Sequence, residues 1–175
     1  MSFYDGAERL SELVVPYLAA AVRQGETVLV IATAEHRALF AAALNDAGID
    51  LHDALSTMHV RLYDAAEMLS RFMRDDVVDR RAFEESVGLC VREAVAEGRP
   101  VRAYGEMVAL LWAQGNRTAA IDLEHAWNVL GSETPFALLC AYPRSVADDA
   151  SAAAALASVC ELHSHVVEIT TAIAS

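Results

Sequence analysis

Apolar residues follow two alternating patterns along the chain. A continuous β-branched apolar run at 27–33 predicts a strand covered on both faces, and the segments 60–63, 101–107 and 136–142 predict three further strands. Between them, apolar residues recur at spacings of three and four, which predicts helices. The predicted helices cover 7–23, 35–47 and 65–73, a long segment ending at Gly98, the stretch through 112–114, a segment ending at Gly131, and 151–175. Residues 49–57 fit a short helical turn or a loop, and 74–81 an exposed connection.

Strands separated by helices favour a mostly parallel sheet with helices on both faces and right-handed crossovers. We therefore expect an α/β fold, a single three-layer domain over residues 1–175, a length that suits one core. The C-terminal helix predicted at 151–175 carries an apolar stripe. That stripe suits packing on its own sheet, pairing with a second copy in a homodimer, or continuation into an output domain. Its members are Leu156, Val159, Cys160, His163, Val166 and Val167.

Composition and charge exclude several classes of function. The net charge of −12 disfavours nucleic acid and anionic membranes as direct partners, because both require a basic surface. All 13 basic residues are arginine, so Schiff-base chemistry and the lysine of a phosphate-binding loop are absent. No run approaches the ~20 apolar residues of a membrane span, and residues 1–6 do not resemble a secretory signal. We therefore expect a cytoplasmic protein.

The cysteines and histidines give no sign of a cofactor or metal. Cys90, Cys140 and Cys160 lie far apart in apolar runs, which is typical of buried free thiols. The six histidines contain no His-x-x-x-His pair, and no Gly-x-Ser-x-Gly motif is present. We therefore predict a non-enzymatic protein that carries no cofactor.

Candidate binding residues follow the predicted strands, because ligands of open parallel sheets bind beyond the carboxyl ends of the strands. The turn after the first predicted strand lacks the glycines and lysine of a nucleotide site, but it contains His36 and Arg37. Positive charge in a first helical turn opposes the helix dipole by roughly 0.3–1 kcal/mol. These two side chains are therefore expected to face a ligand or a carboxylate, or simply to be exposed.

Two further groups complete the predicted ligand site. After the third predicted strand, Tyr104 and Glu106 would point into the crevice, where Glu106 accepts a ligand donor or forms a salt link to Arg37 or Arg102. On a later helix, Glu124 and Asn128 flank Trp127, as a polar lip on an apolar pocket or as a surface pair beside a core tryptophan. The predicted ligand-binding set is His36, Arg37, Tyr104, Glu106, Glu124, Trp127 and Asn128.

An ordered set of short motifs spanning about residues 3–165 resembles the MEDS family, the sensory domain of methanogen and methylotroph regulators, including the dichloromethane-responsive repressor. The motifs are ETVLVIAT at 26–33 with His36-Arg37, Asp64-Ala65 with Phe72-Met73, RAYGEMV at 102–108 with Leu111-Trp112, Leu123-Glu124 with Trp127-Asn128, and CAYP at 140–143. The resemblance implies a RecA-like fold without a nucleotide-binding loop. It also implies a bacterial type of small-molecule sensor that is joined to a DNA-binding or kinase-type output module.

These observations lead to one functional prediction and one alternative. The first is a sensory domain in signal transduction that binds a small molecule at the carboxyl edge of its sheet and signals to a transcriptional or kinase-type protein partner. The alternative is a protein-interaction module, of the anti-sigma or kinase-like kind, that controls a regulator without a small ligand.

Overall fold

A parallel sheet of six strands forms the centre of the structure, a computed structural model that describes residues 2–148, 153–162 and 167–168. The strand order is β3-β2-β6-β7-β1-β8, and every neighbouring pair is parallel. The strands are β1 (Ser2–Tyr4), β2 (Thr27–Ala32), β3 (Val60–Asp64), β6 (Val101–Gly105), β7 (Ala137–Pro143) and β8 (Val167–Glu168). The four strands predicted from the apolar runs are confirmed.

Helices connect the strands and cover both faces of the sheet. They are α1 (Gly6–Arg23), α2 (Ala34–Asp46), α3 (Leu51–Ser56), α4 (Ala65–Phe72), α5 (Arg80–Phe83), a π-helical segment (Glu84–Gly88), α6 (Leu89–Ala96), α7 (Met107–Ala113), α8 (Arg117–Glu133), α9 (Ser145–Asp148) and α10 (Ala153–Glu161). Within the described residues, no helix is long and apolar enough to cross a membrane.

Two hydrophobic clusters hold the three layers together. On one face, helices α1, α2 and α3 pack on alternate strand residues, among them Val28, Val30 and Tyr104. On the other face, α4 through α8 pack on the intervening residues, including Leu29 and Ile31. Because β2 is buried on both faces, its sequence is almost continuously apolar rather than alternating. The predicted three-layer α/β fold is confirmed.

The structure corrects two predicted segments. Residues 74–81 are not a plain exposed connection, since β4 (Met73–Arg74) and β5 (Val77–Val78) form a small antiparallel hairpin and Val78 is buried. The predicted C-terminal helix does not extend over 151–175, because α10 ends at Glu161 and β8 adds to the sheet beside β1. Residues His163 and Val166 of the predicted stripe lie outside the described residues.

The part of the apolar stripe that the structure describes packs within the domain. Val159 is fully buried, and Leu156 and Cys160 pack against the cluster that α8 also covers. Of the three uses expected for this stripe, packing on its own fold is the one that these three residues show.

Phe83 packs in the core between α4 and α8. Its ring makes edge-on contacts with Phe72 and Trp127, each with ring centroids 5.4 Å apart, and it is 0% exposed. We predict that Phe83→Ala lowers the free energy of unfolding by about 3–5 kcal/mol in chemical denaturation, because it removes both contacts and leaves a cavity. Leu89→Ala, at a 48% exposed position, should change it by less than about 0.5 kcal/mol. Equal losses from the two variants would contradict this packing.

Candidate functional site

The carboxylate of Glu106 is the centre of a polar cluster at the carboxyl ends of β2 and β6. Glu106 follows β6 and is only 4% exposed. Its Oε1 accepts a hydrogen bond from the Tyr104 hydroxyl at 2.8 Å and lies 2.6 Å from His36 Nδ1. Its Oε2 accepts from the backbone N–H of Thr33 at 2.9 Å. A buried carboxylate requires such partners, and Glu106 obtains them from a strand, a turn and a helix.

Local sequence explains how these groups meet. Thr33 directly follows β2 and caps α2, because its Oγ1 accepts the backbone N–H of His36 at 3.3 Å. The cap holds His36 in the first turn of α2, directly above the strand end. The backbone N–H of Glu106 donates to the carbonyl of Ile31 at 3.0 Å, which continues the pairing of β6 with β2 by one residue. The cluster is therefore fixed by strand register and by a helix cap.

Electrostatics within this cluster favours a charged His36 and neutral tyrosines. The hydrogen bond to Glu106 raises the pKa of His36, although partial burial opposes the shift. Burial, reinforced by the Glu106 charge, raises the pKa of Tyr104 well above its usual value. The same two causes raise the pKa of Tyr4, at the end of β1, to about 12. Both phenols therefore remain protonated at neutral pH, and Tyr104 donates to Glu106 as a neutral group.

The structure gives Glu106 a different partner from the two arginines considered in the sequence. Arg37 instead donates from Nη2 to Asp64 Oδ2 at 2.7 Å, because one step along α2 turns its side chain toward the end of β3. Arg102 lies near the start of β6 and pairs with Glu26 at 2.8 Å, at the opposite edge of the sheet. The expected salt link of Glu106 to Arg37 or Arg102 is therefore wrong, and His36 takes that place.

The remaining predicted residues form a second group on the other face of the sheet. Glu124, Trp127 and Asn128 of α8 line one cleft of about 430 Å³. Glu124 is 2% exposed and accepts a hydrogen bond from the Tyr142 hydroxyl. Trp127 is also buried, where it packs against Phe83. Burial of Glu124 rules out a surface pair, and it also places Glu124 inside the cleft, so that only the exposed Asn128 lies at the lip.

The seven predicted residues therefore do not line a single recess. His36, Tyr104 and Glu106 form one bonded cluster, which we call the strand-tip cluster, and Arg37 lies beside it in its pair with Asp64. The α8 residues belong to the separate cleft. That these groups bind a ligand stays a prediction.

Sequence reasoning missed three participants. Thr33 was not among the predicted site residues, but it caps α2 and its backbone N–H also binds Glu106. Tyr4 was missed because a strand of three residues gives too short a pattern to recognise. Tyr142 was predicted only as part of the strand at 136–142. The signal that could have connected it to α8 is its alternation with Cys140 along β7, which places both on the face that α8 covers.

Neither cluster has the form of a metal centre or of an activated thiol. In the described part of the chain, no group of three or more His, Cys, Asp or Glu side chains could hold a metal ion. Cys140 is fully enclosed, and burial together with the nearby Glu124 raises the pKa of its thiol well above the usual value. Such a thiol stays protonated and packs as a small apolar side chain.

Comparison with known proteins gives one match. The model of a family described as MEDS, methanogen/methylotroph, DcmR sensory domain, matches residues 1–164. No curated protein and no solved structure matches the chain. The family match covers the strand-tip cluster and the α8 cleft alike.

The raised pKa of His36 predicts a specific dependence of stability on pH. The ion pair with Glu106 should contribute fully below the unfolded-state pKa of about 6.5 and be lost as the pH rises through the higher folded-state value. The difference in unfolding free energy between the native chain and His36→Gln, measured by urea denaturation, should therefore be largest near pH 6 and shrink toward pH 9. The exposed His52→Gln variant supplies the baseline for loss of a histidine. A difference for His36→Gln that grows with pH would be the wrong sign.

Proposed function

The chain belongs to the MEDS family of sensory domains, and from that membership we propose that it binds a small molecule at the carboxyl edge of its sheet and signals to a transcriptional or kinase-type protein partner. The observation that carries this proposal is the strand-tip cluster. One carboxylate joins the ends of β2 and β6 to the first turn of α2. A ligand that replaces one of these bonds would alter three elements together.

The cluster combines a closed interior with an accessible outer side. Glu106 is 4% exposed, whereas the His36 side chain is 18% exposed and can be reached from solvent. A ligand that binds the imidazole would compete with Glu106 for it and would shift α2 relative to the sheet. A ligand shifts a conformational equilibrium only by binding one state more tightly than the other. Here the two states are one in which His36 is bonded to Glu106 and one in which that bond is broken.

The protonation of the cluster supports binding rather than catalysis. Tyr104 and Cys140 have raised pKa values and stay protonated at neutral pH, so neither is an activated nucleophile. Glu106 is occupied by three donors at once, which suits a carboxylate that positions its neighbours. We therefore propose a non-enzymatic domain.

The proposed output is a protein rather than DNA. The net charge of −12 opposes direct contact with phosphates. Movement of α2 would be transmitted to α1, against which it packs through the shared core of Phe40, Leu44 and Leu18. The outer surfaces of these two helices are the natural place for an output partner to detect the change.

A thermal-shift screen of small metabolites tests the proposal. A true ligand at about 100 times its Kd should stabilise the folded chain by about 2.7 kcal/mol, which corresponds to a rise in Tm of roughly 5–10 °C for a chain of this size. His36→Gln and Glu106→Gln should lose most of that rise because each breaks the bond on which the ligand acts.

Glu85→Gln is the matched control, since Glu85 is 62% exposed and pairs only with the exposed Arg81. This variant should keep the full rise. The proposal fails if no compound raises Tm, or if a compound raises it equally in all three variants.

A further inference from the structure

A groove between α1 and α2 runs along the outer side of the layer that these two helices form. Its walls come from residues within 8–16 of α1 and from Leu39 and Ala43 of α2, and its volume is about 440 Å³. Val15 is buried in it, while Leu39 and Ala43 are half-buried. A groove between two packed helices that contains apolar side chains can receive the apolar face of a third helix.

The α2 side of the groove has an uncharged outer surface. Between Arg37 and Asn45, α2 contains only alanine, leucine and phenylalanine. Ala38 and Ala42 in this stretch are nevertheless exposed. A surface helix normally turns charged and polar residues toward water, so this face is suited to contact with another apolar surface. Short alanine side chains also let a partner helix approach closely.

Negative charge collects at one end of the groove. Glu8 is in the first turn of α1 and Glu35 in the first turn of α2. Both helices follow strands of the parallel sheet, so their first turns lie at the same edge of that sheet. Glu8 and Glu12 line the groove, and no basic residue is among its described lining. Arg9 offsets one of the three charges through its ion pair with Glu12, which leaves an excess of two carboxylates.

A proline inside α1 adds a backbone acceptor at this end. Pro16 has no N–H, so it gives no helical hydrogen bond to the carbonyl of Glu12, four residues earlier. Both residues line the groove. Three carboxylates and this carbonyl are all acceptors, which favours a partner that brings positively charged donors.

The acidic end of the groove adjoins the strand-tip cluster. Glu35 immediately precedes His36, whose ring stacks on Phe40 with centroids 6.0 Å apart. Phe40 in turn belongs to the core that α2 shares with α1. A movement of α2 that breaks the His36–Glu106 bond would therefore also change the spacing of the two helices that form the groove.

We propose that this groove binds an amphipathic helix of the output partner, with an apolar stripe against Val15 and Leu39. At the end that meets Glu8, Glu12 and Glu35, the partner helix carries arginine or lysine. Complementary charge of this kind fixes the orientation of a partner and excludes acidic ones. The proposal rests on the proposed function, because it describes the protein that would receive the signal.

NMR titration of the ¹⁵N-labelled chain with three designed peptides of about 18 residues tests the proposal. The first has leucines at helical spacing, glutamines elsewhere and arginines in its last turn. The second has glutamates in place of the arginines, and the third has the composition of the first with the leucines moved off helical spacing. The first should bind saturably and shift the amides of Ser11, Val15, Leu39 and Ala43. The other two should bind more weakly by roughly tenfold or more, because one lacks the charge and the other the stripe.

Two double variants test the charge. Glu8→Gln with Glu12→Gln should weaken binding of the arginine peptide about three- to tenfold, as expected for two exposed ion pairs. The matched control is Glu67→Gln with Glu85→Gln, since each of these residues is exposed, is paired with an arginine four residues away and lies outside the groove. The control should leave binding unchanged. Equal losses in the two double variants would overturn the proposal.

Pro16→Arg tests the groove itself. Pro16 is exposed, and replacing a proline inside a helix removes a helix-breaking residue, so this variant is expected to fold. Its long charged side chain should block the groove and weaken binding of the arginine peptide by roughly tenfold or more. Unchanged binding in this variant, equal binding of the three peptides, or no saturable binding of any of them would each overturn the proposal.

Sedimentation of the chain alone tests a second copy as the occupant. A monomer is expected. A dimer that Pro16→Arg dissociates would assign the groove to self-association and overturn the proposal. None of these measurements uses a small ligand. Failure of peptide binding would therefore leave the metabolite screen intact, and failure of that screen would leave the groove intact.

Discussion

A carboxylate buried at the end of a parallel strand must find its hydrogen-bond donors where it lies, and Glu106 is in that position. Its three donors come from the end of β2, the first turn of α2 and β6 itself. Removing any one of them would leave a costly buried charge or an unpaired donor, so the register of β2 on β6 and the start of α2 are linked through one side chain. The edge of the sheet is organised around that linkage.

The same sheet separates two kinds of chemistry. On the α2 side, the strand-tip cluster has His36, whose pKa is raised, at its accessible edge. The neutral phenol of Tyr104 lies behind it. On the α8 side, the cleft has the buried carboxyl group of Glu124 beside the rings of Trp127 and Phe136. β6 connects the two sides, since Tyr104 faces α2 and Gly105 lies beside Trp127.

The sequence predicts the fold well and the site only in part, for physical reasons. A strand buried on both faces shows a continuous apolar run, which is why β2 was recognised, whereas β1 and β8 are too short for any pattern. The rule that ligands bind beyond the carboxyl ends of parallel strands placed His36 and Glu106 at the same edge of the sheet, where the structure has them in contact. The rule could not assign partners, because a step of one residue on a helix turned Arg37 away to Asp64. Nor could it separate the α8 residues from the strand tips, since that requires knowing which face each helix covers.

The central claim, that Glu106 holds His36 and Thr33 at the strand ends, is tested most directly by NMR of the uniformly ¹⁵N-labelled chain at neutral pH. The structure predicts a protonated His36 Nδ1 with a slowly exchanging proton, and a Thr33 amide protected from exchange. Both signatures should be lost in Glu106→Gln while the core amides of β2 and β6 stay protected. An unprotonated Nδ1 in the native chain, or Thr33 exchange that is unchanged by the substitution, would contradict the account.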